Sequence, residues 1–134
     1  MTDIASSAES REPTAQWRGE VIATHEVQYP DPLRVRAGEP LAVSDREEPW
    51  EDNPAWIWVW CSDMRGASGW VPRSYILSGP EGARARYDYT TAELAVAPGD
   101  QLLIEREESG WLWGRADDGR AGWVPASHVT PVTG

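Results

Sequence analysis

The side chains able to do chemistry in this sequence are few, and most of them are aromatic. Nine Trp and four Tyr occur with no Phe. An indole is bulky and carries an N–H, so it suits a surface with one wet edge, and the bias predicts recognition surfaces in addition to core. The remaining inventory argues against common reactions. The single cysteine, Cys61, closes no internal disulfide. With His25 and His128 it still falls short of the ligand set of a structural zinc site. Ser127 and His128 are sequence neighbours, which does not make them a nucleophile and its base, and no Gly-x-Ser-x-Gly elbow is present. Lys is absent, so there is no Gly-rich phosphate loop ending in Lys. Acidic pairs such as Glu47-Glu48 and Glu107-Glu108 lie in polar stretches with no apolar pocket to raise a carboxyl pKa. The reading is a non-enzymatic binding protein with no cofactor and no metal.

Charge narrows the partners. The net charge is −10 and every basic residue is Arg. Arg34, Arg36, Arg84, Arg86 and Arg120 are scattered among acids, whereas nucleic-acid affinity needs clustered cations to neutralise phosphates. Nucleic acid and anionic membrane are therefore not expected partners, and a basic or cationic partner is favoured. No apolar run reaches the roughly 20 residues of a membrane helix. Met1 to Arg18 lacks the basic start and apolar stretch of an export signal, so the expected location is the cytoplasm, and a cell-wall role is disfavoured. The oligomeric state is open, with a monomer as the default.

These residues sit in blocks that recur. Trp58-Val59-Trp60 matches Trp111-Leu112-Trp113, and Gly69-Trp70-Val71-Pro72 matches Gly122-Trp123-Val124-Pro125, at one common offset. Leu33-Arg34-Val35 matches Leu94-Ala95-Val96, and Gly38-Glu39-Pro40-Leu41 matches Gly99-Asp100-Gln101-Leu102, at a longer one. Collinear blocks of this kind indicate an internal duplication. The difference in offset places extra residues in the first copy around Glu47–Ala55, where Pro49, Asp52, Asn53 and Pro54 read as an inserted loop.

Each copy reads as short strands between turn residues, with no sustained helical period. In the second copy the strands are expected at Ala83–Tyr87, Gln101–Glu105, Trp111–Ala116 and Arg120–Pro125, with a stub at His128–Val129. Asp117-Asp118-Gly119 and Met64-Arg65-Gly66 are hairpin signals, since Gly accepts positive φ. Alternation assigns Ala23, Leu33, Val35, Leu41, Val43, Val59, Cys61, Val71 and Ile76 to one core. Ala85, Leu94, Val96, Leu102, Ile104, Leu112, Val124 and Val129 form the other. Trp56, Trp58 and Trp60 point away from Val59 and Cys61. Cys61 is expected to be a small buried thiol.

The second copy resembles a Src-homology-3 (SH3) domain along nearly its whole length. Ala85-Arg86-Tyr87-Asp88-Tyr89 resembles the opening motif, and Glu93 to Asp100 resembles the end of the RT loop and the diverging turn. Gly110-Trp111-Leu112-Trp113 resembles the Trp pair, and Gly122-Trp123-Val124-Pro125-Ala126-Ser127-His128-Val129 resembles the closing motif. The first copy is a weaker likeness. Ala23-Thr24-His25-Glu26-Val27 lacks both opening tyrosines, whereas Gly69 to Ile76 matches well. Tyr29-Pro30-Asp31-Pro32-Leu33 followed by Trp56-Ile57-Trp58 resembles a bacterial variant type.

The resemblance implies an all-β protein of two tandem, small, five-stranded SH3-like barrels. The expected boundaries are a disordered tail over 1–18, a divergent barrel with a long n-Src insertion over 19–77, a short linker over 78–82, and a second barrel over 83–134. It also implies an adaptor whose grooves take proline-rich or extended basic peptides in polyproline II conformation. The implied peptide-binding residues of the second copy are Tyr87, Tyr89, Glu93, Trp111, Trp123, Pro125 and His128. Those of the first are Tyr29, Asp31, Trp58, Trp70, Pro72 and Tyr75. His128 stands where the last groove tyrosine belongs. Two other readings stay open. The Trp surfaces could serve structure or assembly, packed between the barrels or on a folded partner, or they could cage a cationic small group.

Overall fold

The computed structural model describes residues 16–132. Among them the regular structure is all-β, with a few single-turn 3₁₀ segments. In chain order the strands are β1 (Trp17–Val21), β2 (Arg34–Val35), β3 (Pro40–Pro49), β4 (Ile57–Ser62), β5 (Ser68–Pro72), β6 (Ile76–Gly79) and β7 (Gly82–Ala85). They continue with β8 (Tyr89–Thr90), β9 (Gln101–Glu108), β10 (Trp111–Ala116), β11 (Ala121–Pro125) and β12 (Val129–Pro131).

The chain divides into two compact units. Unit 2 is the continuous stretch Val27–Glu93, and unit 1 combines the described residues up to Glu26 with those from Leu94 onward. Each unit contains a five-stranded sheet in which every pairing is antiparallel. The strand order is β11-β10-β9-β1-β12 in unit 1 and β5-β4-β3-β7-β6 in unit 2. Unit 2 adds the short pair β2-β8. This architecture is consistent with SH3-like barrels.

The turns form where Gly is available for a left-handed backbone. Gly66 (φ 91°) lies between β4 and β5, and Gly119 (φ 95°) between β10 and β11, so both hairpin signals correspond to real turns. Cores follow the alternation. Unit 1 buries Val21, Leu94, Val96, Leu102, Ile104, Leu112, Val124 and Val129, with Trp17, Ala116 and Ala126 packed against them. The buried residues of unit 2 include Leu33, Val35, Leu41, Val59, Cys61, Val71 and Ala85.

The boundaries differ from the sequence-based expectation, and the reason is local. Ser78–Gly82 is not a linker. Ser78 pairs with Ala83 and Gly79 with Gly82, so only Pro80 and Glu81 form the loop of a β6–β7 hairpin. A connection this short sends the chain straight back along its own neighbour. β7 therefore inserts between β3 and β6 of unit 2, with Leu41 opposite Ala83. The matching slot in unit 1 is filled from the other end of the chain by β1, with Gly19 opposite both Leu102 and Pro131. Ala85 thus belongs to the core of unit 2, and Val21 occupies the corresponding place in unit 1.

Smaller corrections share such causes. Val43 is 44% exposed, because the β3–β4 register shifts after it and Ser44–Arg46 all lie opposite Trp60. Ala23 and Ile76 are half-buried, not core. The inserted segment starts as strand, since β3 runs to Pro49 before a 3₁₀ turn at Trp50–Asp52. The expected tail at 1–18 lies outside the described residues for 1–15, while Trp17 and Arg18 already belong to β1.

Candidate functional site

In unit 2 the aromatic residues are collected by the β6–β7 hairpin. Tyr75 closes a 3₁₀ turn directly before β6, and Tyr87 and Tyr89 follow β7. The strands zip past their nominal ends. The Arg86 N–H donates to the Tyr75 carbonyl at 2.8 Å, and its Nε donates to the Ser74 carbonyl at 3.0 Å. The Tyr75 ring then meets Tyr87 at 4.9 Å and Tyr89 at 5.4 Å between centroids, both edge-on. The Tyr89 hydroxyl donates to the Trp70 carbonyl at 2.8 Å. Trp58 stands opposite Pro72 across β4–β5.

The tyrosines expected to work with Trp111 and Pro125 thus belong to the unit that holds Trp58, Pro72 and Tyr75. Accessibility also departs from expectation. Tyr75 (2% exposed), Trp58 and Tyr89 (8% each) are buried, Pro72 is fully buried, and Tyr87 is half-buried. Rings expected to keep one wet edge are mostly enclosed.

The arm carrying these tyrosines is tied down by polar contacts. Thr91 Oγ1 accepts the Leu33 N–H at 2.9 Å, and the Thr91 N–H donates to the Leu33 carbonyl at 3.1 Å. Asp88 accepts the Ala37 N–H at 2.9 Å. Glu93, expected to meet a ligand cation, accepts the backbone N–H groups of Gln28 and Tyr29 at 3.2 and 3.3 Å. Asp31 is exposed.

Asp63, at the start of the β4–β5 turn, is the other anchor. Its carboxylate takes N–H bonds from Arg34, Arg65 and Ala67 and a guanidinium bond from Arg65, all within 3.0 Å. Burial pushes its carboxyl pKa up, but these hydrogen bonds and the Arg65 charge outweigh that and hold it below the ordinary range. Burial also pushes the Cys61 thiol up to about 11, so it is a packed, inert group.

Unit 1 offers a different set. His25 is 6% exposed and its backbone bridges Val96 in both directions. Its ring lies 5.5 Å from Trp111 and 6.0 Å from His128, edge-on to each. Val27, which stands where the second opening tyrosine would be, is 41% exposed and falls in unit 2. Nδ1 of His128 is buried with no hydrogen-bond partner among the described residues. Trp123 is buried at 6% and lies 5.3 Å from Trp113. Pro125 is buried opposite Trp111, which is half-buried. Imidazoles thus stand where tyrosines were expected, and no three His, Cys, Asp or Glu side chains among the described residues are grouped to hold a metal.

Residues 84–126 match the SH3 domain family. Two relatives match in sequence. The protein kinase C and casein kinase substrate in neurons protein 1 of Danio rerio is 44% identical over 54 residues, and protein 2 of that name from Gallus gallus is 41% identical over 54 residues. Each alignment covers 37% of this chain, and the chain spans only 12% of the length of either relative. No solved structure matched. The SH3 match begins at Arg84, inside β7. The matched stretch therefore runs across both units, with Tyr87 and Tyr89 in unit 2 and Trp111, Trp123 and Pro125 in unit 1. No described helix is long and apolar enough to cross a membrane.

One cluster in unit 2 was not legible as a unit in the sequence. Trp60 and Trp70, paired across β4–β5, stand 5.1 Å apart at 71°, and Tyr29 meets Trp60 at 5.4 Å. The Arg46 guanidinium lies over both indoles, 5.2 Å from Trp60 and 5.0 Å from Trp70. Only the bulge at Ser44–Arg46 brings it there, and no spacing rule announces that bulge.

Proposed function

We propose that this chain is a non-enzymatic protein-interaction module, and that the aromatic face of unit 2 receives an extended peptide segment, proline-rich or basic. The observation that carries this reading is the meeting of Tyr75, Tyr87 and Tyr89 in the unit that holds Trp58 and Pro72. This is the residue set that SH3-type peptide recognition uses. Unit 1, with His25 and His128 in place of tyrosines, is the weaker surface. An acidic chain of net charge −10 favours a basic peptide over an anionic one.

The test is a titration of the whole chain with an arginine-flanked proline-rich peptide, read by tryptophan fluorescence and amide shifts. Tyr87→Ala should weaken binding about tenfold or more, as loss of a central aromatic contact does, while costing less folding stability than Trp58→Ala, because Tyr87 is only half-buried.

A second reading, a structural or assembly module, is favoured by the burial of Trp58, Tyr75 and Tyr89. It requires that the wild-type chain bind no such peptide and that Trp58→Ala cost about 3–5 kcal/mol of folding stability, the range for emptying a buried aromatic site.

A further inference from the structure

We propose that Tyr29, Trp60 and Trp70 of unit 2 form a binding site for a weakly hydrated organic cation, an arginine guanidinium or a methylated ammonium, and that Arg46 is its internal, displaceable occupant.

The geometry of the walls comes first. Trp60 and Trp70 are register partners on adjacent strands, and their rings make an L-shaped corner, 5.1 Å between centroids and 71° between planes. Tyr29 extends the wall beyond Trp60, 5.4 Å away at 61°. Both indoles are half-buried and Tyr29 is 39% exposed, so the rings are fixed from behind and open in front. A π-face attracts a cation within about 6 Å of its centroid, and most strongly when the ring is Trp.

The occupant is held by rings and not by a carboxylate. Arg65, Arg73, Arg115 and Arg120 each pair with a carboxylate. Among the described residues Arg46 makes no such pair, and its guanidinium rests on the two indole faces alone. Glu47, its neighbour along β3, is engaged by Arg73. Arg46 is delivered by the bulge opposite Trp60, where Ser44 Oγ accepts the Arg46 N–H at 3.1 Å. A bulge that re-aims one side chain is a recurring feature of binding edges. Arg46 is itself exposed, and an exposed guanidinium without a carboxylate can swing away. It then leaves a corner already sized for a cation, on a strand that also carries Asp45, Glu47 and Glu48.

The site shares no ring with Tyr75, Tyr87, Tyr89 or Trp58, and the small cations that test it carry no proline-rich segment, so its failure is distinguishable from failure of the peptide reading. The test titrates the full chain, wild type and Arg46→Ala, with N-acetyl-arginine methylamide and, separately, with tetramethylammonium. The readout is the indole N–H resonances of Trp60 and Trp70. If Arg46 fills the corner most of the time, its removal tightens binding about five- to tenfold, by the fraction of competent sites released. Tyr29→Leu, a change at an exposed side chain whose folding is checked by amide dispersion, should then weaken binding in the Arg46→Ala background. Response to the arginine derivative alone points to a peptide-borne guanidinium, and response to tetramethylammonium points to a methylated amine; either supports the site. No saturable shift at Trp60 and Trp70 in Arg46→Ala, or shifts that Tyr29→Leu leaves unaltered, would overturn it.

Discussion

Tyr75 and Tyr87 meet edge-on at 4.9 Å, with 75° between their ring planes. The closing motif of one sequence copy thereby touches the opening motif of the other. The contact is a direct product of the Pro80–Glu81 turn, because a hairpin with Ile76 opposite Ala85 must bring the residues just beyond its open end together. The aromatic face of unit 2 is therefore built on consecutive strands of one continuous segment.

A fragment cut at Val27 and Glu93 should accordingly fold by itself. It carries all seven strands of unit 2 and the Thr91–Leu33 and Glu93–Gln28 ties. A small barrel of this size is marginal, so modest stability is expected, with cooperative thermal unfolding and a dispersed amide spectrum. A collapsed, undispersed spectrum would count against the unit boundaries.

Gly69 and Thr91 should behave as a coupled pair. A Cβ at Gly69 would fall 2.6 Å from Thr91 Cγ2 and 2.9 Å from its Oγ1, and Thr91 is itself buried. Gly69→Ala is expected to destabilise by about 1–3 kcal/mol, as overpacking does. Thr91→Ser removes the closer methyl but keeps the hydroxyl for the Leu33 N–H. The double variant should then lose less than the sum of the singles in urea unfolding, and additivity would refute the contact.

Asp63 predicts an acid-sensitive fold. Its folded pKa lies below the ordinary value of 3.8, so the unfolded chain binds the proton more readily. The stabilisation is complete above the unfolded pKa and drains away as pH falls through the folded value. Urea midpoints should decline below about pH 4, and Asp63→Asn should flatten that decline while costing about 3 kcal/mol at neutral pH, because the charge-assisted bonds are lost.

Cys61 gives the alkaline counterpart. Its thiol is raised from 9.0 to about 11, and its sulfur sits 3.6 Å from the Val59 carbonyl in the core. The native chain should resist a thiol reagent at pH 8 and react once unfolded by urea. A raised folded pKa favours the native state below the unfolded value, so this contribution fades as pH rises through and beyond about 9. Prompt labelling of the folded chain would show the thiol to be accessible.

The all-β class, the glycine turns, the β9–β11 strands and the buried alternation of Leu102, Ile104, Leu112 and Val124 were legible in the sequence, because these follow from side-chain period and backbone preference within a few residues. What it left undecided was partnership. Alternation tells a strand which face to bury, and it is silent on which sheet receives it. β1 and β7 both carry small residues at alternate positions, Gly19 with Val21 and Ala83 with Ala85, that suit an inner slot. The tertiary structure decided between them. The two-residue loop at Pro80–Glu81 holds β7 beside β6, and the vacancy between β9 and β12 is filled by β1. The same choice set Tyr87 beside Tyr75 and His25 beside Trp111, and the bulge at Ser44–Arg46 laid a guanidinium on Trp60 and Trp70. Long-range pairing and local slippage of register lie beyond any pattern that nearest neighbours along the chain can write.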